Sequence, residues 1–149
     1  MQYFKEVLLG NKVRTMPECI FCKIAKGEIP SFKVGESEKA LAFLDVNPGV
    51  KGHTLVIPKN HAESIFDVSE NDLKEVSALI KKVAEKMEKN LKADGVNVLN
   101  ASGKAAQQSV FHLHFHVIPR FENDGLNTWP FKEKLAGLDL KELAEKLRE

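Results

Sequence analysis

The sequence contains no long run of apolar residues and no large excess of either charge. Its 149 residues include 22 Lys and Arg against 21 Asp and Glu, for a formal net charge of +1 at pH 7. No stretch approaches the roughly 18 apolar residues that a membrane-spanning helix needs, so we expect no membrane partner. The balanced charge gives no electrostatic reason to expect nucleic acid as a main partner. Residues 1–10 are too charged for a secretory signal, and the predicted location is cytoplasmic.

Cysteine is scarce, since Cys19 and Cys22 are the only two in the chain. In a reducing cytoplasm, a Cys-x-x-Cys pair indicates metal binding or redox chemistry before a structural disulfide. Zinc prefers four sulfur and nitrogen ligands, so histidines would have to complete such a site. The alternatives are a redox pair, whose usual thioredoxin-like βαβ context is absent here, and two small buried core residues. The sequence offers five histidines without choosing among them: His53, His61, His112, His114 and His116.

The hydrophobic pattern predicts one α+β domain with several strands, one long helix and short connections. A short helix over 18–26, with Ile20, Phe21 and Ile24 facing inward, would end at Gly27. Ser69 begins a capping box and opens the long helix, which we expect to end at Asp94-Gly95. The residues predicted to be buried along this helix are Leu73, Val76, Ile80, Val83, Met87 and Leu91. The predicted strands are 32–35, 40–44, 54–57, 96–99 and 109–118, and a final helix with Leu140, Leu143 and Leu147 is capped by Asp139.

The most informative segment is a row of three histidines, each separated from the next by one apolar residue. On a strand over 109–118, alternate side chains point to opposite faces. His112, His114 and His116 would then share one face, and the apolar residues Phe111, Leu113, Phe115 and Val117 would face the core. Imidazole near neutral pH can be a nucleophile, an acid or base, or a metal ligand. A polar strand face that is merely rich in histidine is the simpler alternative.

The loop before this strand, residues 100–108 and called the phosphate loop below, is rich in small and amide residues. A loop of this kind can bring backbone N–H groups and side-chain donors close to a phosphate, although many such loops are only turns. A neutral imidazole beside a bound phosphate could attack phosphorus and divide one displacement into two easier steps. Asp45 follows an apolar strand, where its carboxylate could bind the diol of a ribose or simply form a turn.

Several motifs of the chain resemble those of a known family, the histidine triad (HIT) family. The segment from His112 to Ile118 resembles the family's signature, in which three histidines alternate with apolar residues. The resemblance covers residues 18–121, with 1–17 as an N-terminal extension and 122–149 as a C-terminal tail with a helix. It is strongest for members with an N-terminal Cys-x-x-Cys. The other matching motifs are Cys19-Ile-Phe-Cys22-Lys-Ile, Gly27-Glu-Ile-Pro30, Ala42-Phe-Leu-Asp45-Val-Asn-Pro48, Gly52-His-Thr-Leu-Val-Ile-Pro-Lys-Asn-His61 and Gln108-Ser-Val-Phe-His112.

The resemblance implies a five-stranded antiparallel sheet with two main helices, paired about a two-fold axis into a homodimer. It also implies a nucleotidyl hydrolase or transferase that acts at the α-phosphate of a nucleoside phosphoramidate or a related substrate. His114 would be the nucleophile and would form a nucleotidyl-histidine intermediate. Water would then release a nucleoside monophosphate, so a purine nucleotide such as AMP or GMP is the expected partner.

Individual roles follow from the same resemblance. His116, Ser109 and His53 would support His114 in catalysis. The nucleotide would also contact Asp45 at the ribose, Asn100 and Gln108 near the phosphate, and Phe21 and Ile24 at the base. A structural zinc ion would be bound by Cys19, Cys22, His61 and His112, with no organic cofactor.

One departure from the family pattern concerns the phosphate loop, where Gln107 stands in place of the usual glycine. A binding module or scaffold with weak chemistry, acting through protein partners, is therefore an alternative function. A third hypothesis is a metalloprotein in which His112, His114 and His116 bind one metal ion.

Overall fold

The computed structural model describes residues 16–128 and 135–148. The predicted extension therefore lies almost wholly outside the described residues, as does part of the predicted C-terminal tail. The described residues form three helices and five strands. In chain order they are α1 Ile20–Ala25, β1 Lys33–Glu36, β2 Ala40–Leu44, β3 Thr54–Pro58, α2 Glu70–Lys86 with a π-helical turn Met87–Leu91, β4 Gly95–Asn100, β5 Phe115–Arg120 and α3 Leu140–Arg148. A 3₁₀ turn, Lys104–Ala106, lies between β4 and β5.

The five strands form one antiparallel sheet in the order β1-β2-β3-β5-β4. Its faces are covered by different helices because successive residues of a strand point to opposite sides. The small residues Ala40 and Ala42 face α2, whereas Leu41 and Phe43 face α1. The structure confirms the predicted α+β class with a five-stranded antiparallel sheet and two main helices.

Helix α2 begins where the capping box predicts, since the Ser69 hydroxyl accepts a hydrogen bond from the Asp72 backbone N–H. Two details of this helix were wrong in the prediction. Its buried stripe includes Leu79, and Leu91 is 39% exposed. The helical segment ends at Leu91, before Asp94-Gly95, because Lys92 adopts a left-handed backbone with φ 59°. The residues that α2 and its π turn bury against the sheet are Val76, Leu79, Val83 and Met87.

The opposite face of the sheet holds a second cluster, formed by Phe21, Leu41, Phe43, Leu55 and Ile57. Phe21 is the residue through which α1 joins this cluster, and its ring packs edge-on against Phe43 with centroids 5.7 Å apart. Ile20, predicted by the helix pattern to be inward, is instead 48% exposed. This layer carries the candidate site.

The histidine segment is only partly a strand, which corrects the predicted strand over 109–118. Strand β5 begins at Phe115 and continues through Pro119 to Arg120, so Pro119 does not end it. Residues 109–114 form an irregular segment in which Phe111 is 44% exposed. Strict alternation fails here because two consecutive residues, His112 and Leu113, are both fully buried, whereas a strand with one polar face would alternate.

The C-terminal helix α3 is capped as predicted, because the Asp139 carboxylate accepts a hydrogen bond from the Glu142 backbone N–H. Its three leucines are exposed, by 72% at Leu140, 42% at Leu143 and 88% at Leu147. Among the described residues, no helix has the length and apolar character needed to cross a membrane.

Gly52 lies just before β3 at a position that a side chain would not fit. Its φ is +92°, and an added Cβ would lie 2.7 Å from Leu91 Cδ1 and 3.2 Å from Pro119 Cγ. Both the backbone angle and the close approach therefore favour glycine. This contact fixes the start of β3 directly beside His53.

We expect Gly52→Ala to lower the free energy of unfolding by about 2–3 kcal/mol, because a left-handed backbone and an overpacked contact both add cost. Gly27→Ala is the matched control, since Gly27 has φ +77° but no atom within 4 Å of an added Cβ. That variant should lose only about 1 kcal/mol. Urea unfolding of both variants measures the difference, and equal losses would contradict the proposed steric contribution at Gly52.

Candidate active site

Two clusters of titratable side chains lie on the α1 side of the sheet. The first, here called the Cys/His cluster, contains Cys19, Cys22, His61 and His112. The second, here called the Asp/His cluster, contains Asp45, His53 and His116. His114 lies between His112 and His116 in sequence, and its ring centroid is 5.1 Å from that of His116.

The Cys/His cluster has the dimensions of a tetrahedral metal site. Cys22 Sγ lies 3.4 Å from His61 Nδ1 and 3.5 Å from His112 Nδ1, and Cys19 Sγ lies 3.4 Å from His112 Nδ1. Zinc bonds of about 2.3 Å to sulfur and 2.0 Å to nitrogen would separate neighbouring S and N ligands by about 3.5 Å in a tetrahedron. These three distances therefore match the separation expected between neighbouring ligands of one zinc ion, and all four ligand atoms lie within 4.8 Å of one another.

The hydrogen bonding of His112 also fits a metal ligand. Its Nε2 lies 2.8 Å from the Pro58 carbonyl oxygen, which can only accept, so Nε2 carries the proton. Nδ1 is then left with a free lone pair that points into the Cys/His cluster. A metal-bound histidine ordinarily donates its second ring N–H to such a carbonyl.

Cys19 has a second role as the N-cap of α1, where its Sγ accepts a hydrogen bond from the Cys22 backbone N–H. The hydrogen bond from the Cys22 thiol, with smaller contributions from His112 and His61, holds the pKa of the Cys19 thiol well below its usual value. The chain thus favours one thiolate here, which is the form of cysteine that binds metal.

His114 is held with one ring nitrogen free. Its Nδ1 lies 2.8 Å from the His112 carbonyl oxygen, so Nδ1 must carry the proton. In the neutral ring the lone pair is then on Nε2. The ring is 4% exposed and packs edge-on against Phe21, with centroids 5.3 Å apart. His114 therefore presents one basic nitrogen in a fixed orientation.

The protons of the Asp/His cluster can be assigned along a chain of hydrogen bonds. The Gly49 backbone N–H donates to His53 Nδ1 at 3.1 Å, so neutral His53 carries its proton on Nε2. That N–H donates to His116 Nδ1 at 2.8 Å, which places the His116 proton on Nε2. Asp45 Oδ2 lies 3.7 Å from His53 Nε2.

Burial keeps both of these histidines neutral. The pKa of His53 is lowered by burial, against the opposing charge of Asp45. The pKa of His116 is lowered first by burial and then by His114 and His53. The Asp/His cluster is therefore a neutral hydrogen-bonded pair beside a carboxylate at pH 7.

The hypothesis of one metal ion held by His112, His114 and His116 is wrong for this geometry. His112 Nδ1 faces the two cysteines, His114 Nδ1 donates to a carbonyl, and His116 Nδ1 accepts from another histidine. The Asp/His cluster is also poorly suited to a metal ion, because the Gly49 N–H fixes the His53 proton on Nε2, the nitrogen that would have to bind it.

The remaining predicted site residues lie around this centre. Asp45 Oδ1 accepts from the Asn47 backbone N–H, so Asp45 does form a turn, while Oδ2 faces His53. Asn100 Nδ2 donates to the His114 carbonyl oxygen at 2.9 Å. Ser109 is exposed, Phe21 is only 7% exposed and Ile24 is half-buried.

Both polar atoms of the Gln108 side chain are hydrogen-bonded to backbone groups of the protein. Its Oε1 accepts from the Gly103 backbone N–H at 2.8 Å, and its Nε2 donates to the carbonyl oxygens of Glu63 and Val110. The next residue toward the N-terminus, Gln107, has φ 66° and ψ 30°, a left-handed conformation. Glycine adopts that conformation without strain, which explains the usual residue at this position physically.

Sequence reasoning missed the backbone groups that orient the histidines, which are the Pro58 and His112 carbonyls and the Gly49 N–H. It also missed the hydrogen bond from the Ser102 hydroxyl to the Asn100 side chain. A carbonyl or an N–H carries no residue-type signal, so no pattern in the sequence could have found the first three. Ser102 lies within the phosphate loop, but its residue type alone did not distinguish it from its neighbours.

Comparison with known proteins shows which family this chain is similar to. The family model described as HIT domain matches residues 26–123. Adenosine 5′-monophosphoramidase HNT1 of Saccharomyces cerevisiae is 46% identical over 135 residues, which cover 87% of this chain and 82% of the yeast protein. The crystal structure of SMU.412c from Streptococcus mutans UA159 has a TM-score of 0.82 at 41% identity, covering 90% of this chain and 85% of that one.

A crystal structure of a zinc-bound histidine triad family protein from Mycobacterium smegmatis is similar as well. Its TM-score is 0.71 at 38% identity, and the match covers 78% of this chain and 84% of that one. The family match spans well over half of the chain and includes the Asp/His cluster, the phosphate loop and all three histidines of the triad. The chain belongs to the HIT family.

Proposed function

We propose that the protein hydrolyses nucleoside phosphoramidates, with adenosine 5′-phosphoramidate as the model substrate, through a covalent intermediate on His114. The observation that carries this proposal is the hydrogen bond from His114 Nδ1 to the His112 carbonyl oxygen, which leaves Nε2 as a nucleophile with a fixed direction. The similarity to the yeast phosphoramidase supports the same substrate class.

In the first step, His114 Nε2 forms a bond to the α-phosphorus and the P–N bond to the leaving amine breaks. The exposed Ser109 hydroxyl relays a proton from bulk water to the amine. The Nε2–H of His116, whose ring lies beside that of His114, donates to a phosphate oxygen as charge shifts. In the second step, water attacks phosphorus, returns a proton to solvent and releases the nucleoside monophosphate from His114.

The nucleotide would lie across the Asp/His cluster and the phosphate loop. Asp45 Oδ2 is available to accept from a ribose hydroxyl, since Oδ1 is used in the turn. Phe21 and Ile24 would contact the base from α1, and the base would be a purine such as that of AMP or GMP. Gln108 would act by shaping the loop rather than by direct contact.

A structural zinc ion is proposed for the Cys/His cluster, and the zinc-bound relative from Mycobacterium smegmatis supports this choice. Four protein ligands would fill a tetrahedral zinc ion, which would then tie α1 and the β3–α2 loop to the histidine segment. No organic cofactor is part of the proposal.

A homodimer is proposed through the edge strand β4. Val98 and Leu99 on this strand are 46% and 38% exposed, which is unusual for large apolar residues of a sheet. Exposed edge strands of this kind readily pair with another strand. The cytoplasmic location stays a prediction.

We expect His114→Ala to abolish hydrolysis of adenosine 5′-phosphoramidate while the protein stays folded. Intact-protein mass spectrometry after brief mixing should show an acid-labile nucleotidyl adduct on the wild type and none on the variant. Thermal unfolding by circular dichroism checks the fold of both. Undiminished turnover in His114→Ala would refute the mechanism, and tight AMP binding without turnover by the wild type would favour the binding-module alternative.

Zinc content tests the Cys/His cluster. Elemental analysis should find about one zinc ion per chain in the wild type and almost none in Cys22→Ser, because the variant lacks one of four ligands. His53→Gln is the matched control, since it alters a histidine outside the cluster and should keep its zinc. A chelator should lower the melting temperature of the wild type. Full zinc content in Cys22→Ser would contradict the ligand assignment.

The pH dependence follows from the lowered pKa values of His53 and His116. Both groups titrate near pH 6.5 in the unfolded chain, which therefore binds more protons than the folded protein as the pH falls below that value. The free energy of unfolding should thus be constant above about pH 7 with respect to these groups and decrease as the pH falls below about 6.5. An NMR titration of the two rings with midpoints at or above 6.5 would contradict this.

A further inference from the structure

We propose that Ser102 is a positioning residue for the nucleophile, which it serves by orienting the Asn100 side chain that holds the His114 backbone. This inference rests on the proposed role of His114 as the attacking group. Three hydrogen bonds carry it. Ile65 N–H donates to Ser102 Oγ at 3.0 Å, Ser102 Oγ donates to Asn100 Oδ1 at 2.8 Å, and Asn100 Nδ2 donates to the His114 carbonyl oxygen at 2.9 Å.

The directions of these three hydrogen bonds are fixed by the groups at the two ends of the series, the His114 carbonyl and the Ile65 N–H. The His114 carbonyl can only accept, so the amide of Asn100 must turn Nδ2 toward it and Oδ1 toward Ser102. The Ser102 hydroxyl must then donate to Oδ1. At the other end, the Ile65 backbone N–H can only donate, and it uses a lone pair of the same hydroxyl. Serine or threonine at 102 satisfies both requirements at once.

The Ile65 end of this series of hydrogen bonds is held in a tight turn. Residues 63–67 form a tight turn in which the Asp67 carboxylate accepts from the backbone N–H groups of Glu63 and Ser64, at 2.9 and 2.7 Å. The Gln108 side chain also joins this turn to the phosphate loop through the Glu63 carbonyl. Ile65 N–H therefore has a defined position from which to hold Ser102.

The other end of the series lies at the His114 backbone, whose orientation affects the chemistry. Asn100 is the last residue of β4 and pairs with Phe115, the first residue of β5, so His114 lies just beyond the sheet ladder. Its backbone is not held by strand pairing, and Asn100 supplies the missing contact. Asn100 itself is exposed, so without the Ser102 hydroxyl its amide would exchange partners with water.

Steady-state kinetics with adenosine 5′-phosphoramidate test the proposal. Ser102→Ala should lower kcat about tenfold and leave KM within about twofold, because a small misplacement of a nucleophile slows the chemical step more than it weakens binding. Ser102→Thr should restore kcat to within about twofold. Ser77→Ala, on the exposed face of α2, is the matched control and should match the wild type.

A double-mutant cycle with Asn100→Ala separates positioning from a general effect on folding. If Ser102 acts through Asn100, adding Ser102→Ala to Asn100→Ala should lower kcat by less than about twofold further. Independent, additive losses would overturn the proposal, as would failure of threonine to rescue a variant whose melting temperature is unchanged.

The ¹³C shift of the His114 carbonyl gives a readout that does not depend on turnover. It should change in Ser102→Ala and in Asn100→Ala, in the same direction, and stay constant in Ser77→Ala. An unchanged shift in Ser102→Ala would overturn the proposal. If the variants show these shift changes but the wild type does not hydrolyse the phosphoramidate, the proposed function fails while the contact through Asn100 is supported.

Discussion

His112 is the residue on which both halves of the site depend. Its ring donates from Nε2 to the Pro58 carbonyl and turns Nδ1 toward the two cysteines, while its own carbonyl accepts a hydrogen bond from His114 Nδ1–H. One fully buried residue therefore sets the geometry of the Cys/His cluster and the tautomer of the candidate nucleophile.

The histidines of the site are kept distinct by the groups that surround them, although their side chains are chemically identical. The hydrogen bond to a carbonyl oxygen fixes the proton of neutral His114 on Nδ1, whereas the hydrogen bond from the Gly49 N–H fixes the proton of His53 on Nε2 and, through it, that of His116 on Nε2. Burial then removes the charged form of the last two. The result is one basic nitrogen next to one N–H donor, which is a suitable pair for a reaction at phosphorus.

Much of the fold and site could be predicted from residue types and their spacing. The capping box at Ser69, the α+β class and the family were confirmed, and the four residues predicted as metal ligands lie together. The predicted strand over 109–118 was wrong because periodicity cannot distinguish a paired strand from an extended irregular segment. The exposure of Phe111 and the burial of Leu79 depended on packing partners distant in sequence.

The sequence by itself determined which chemical groups are present: two thiols, five imidazoles, a capped helix and alternating strands. These follow from side-chain chemistry and local periodicity, which need no knowledge of distant contacts. Only the tertiary structure decided which nitrogen of each histidine carries the proton, that Gln108 bonds to the backbone of Gly103 and Glu63, and that Ser102 contacts Asn100. Those outcomes depend on backbone carbonyls and N–H groups, which every residue has and which only folding brings to a particular ring.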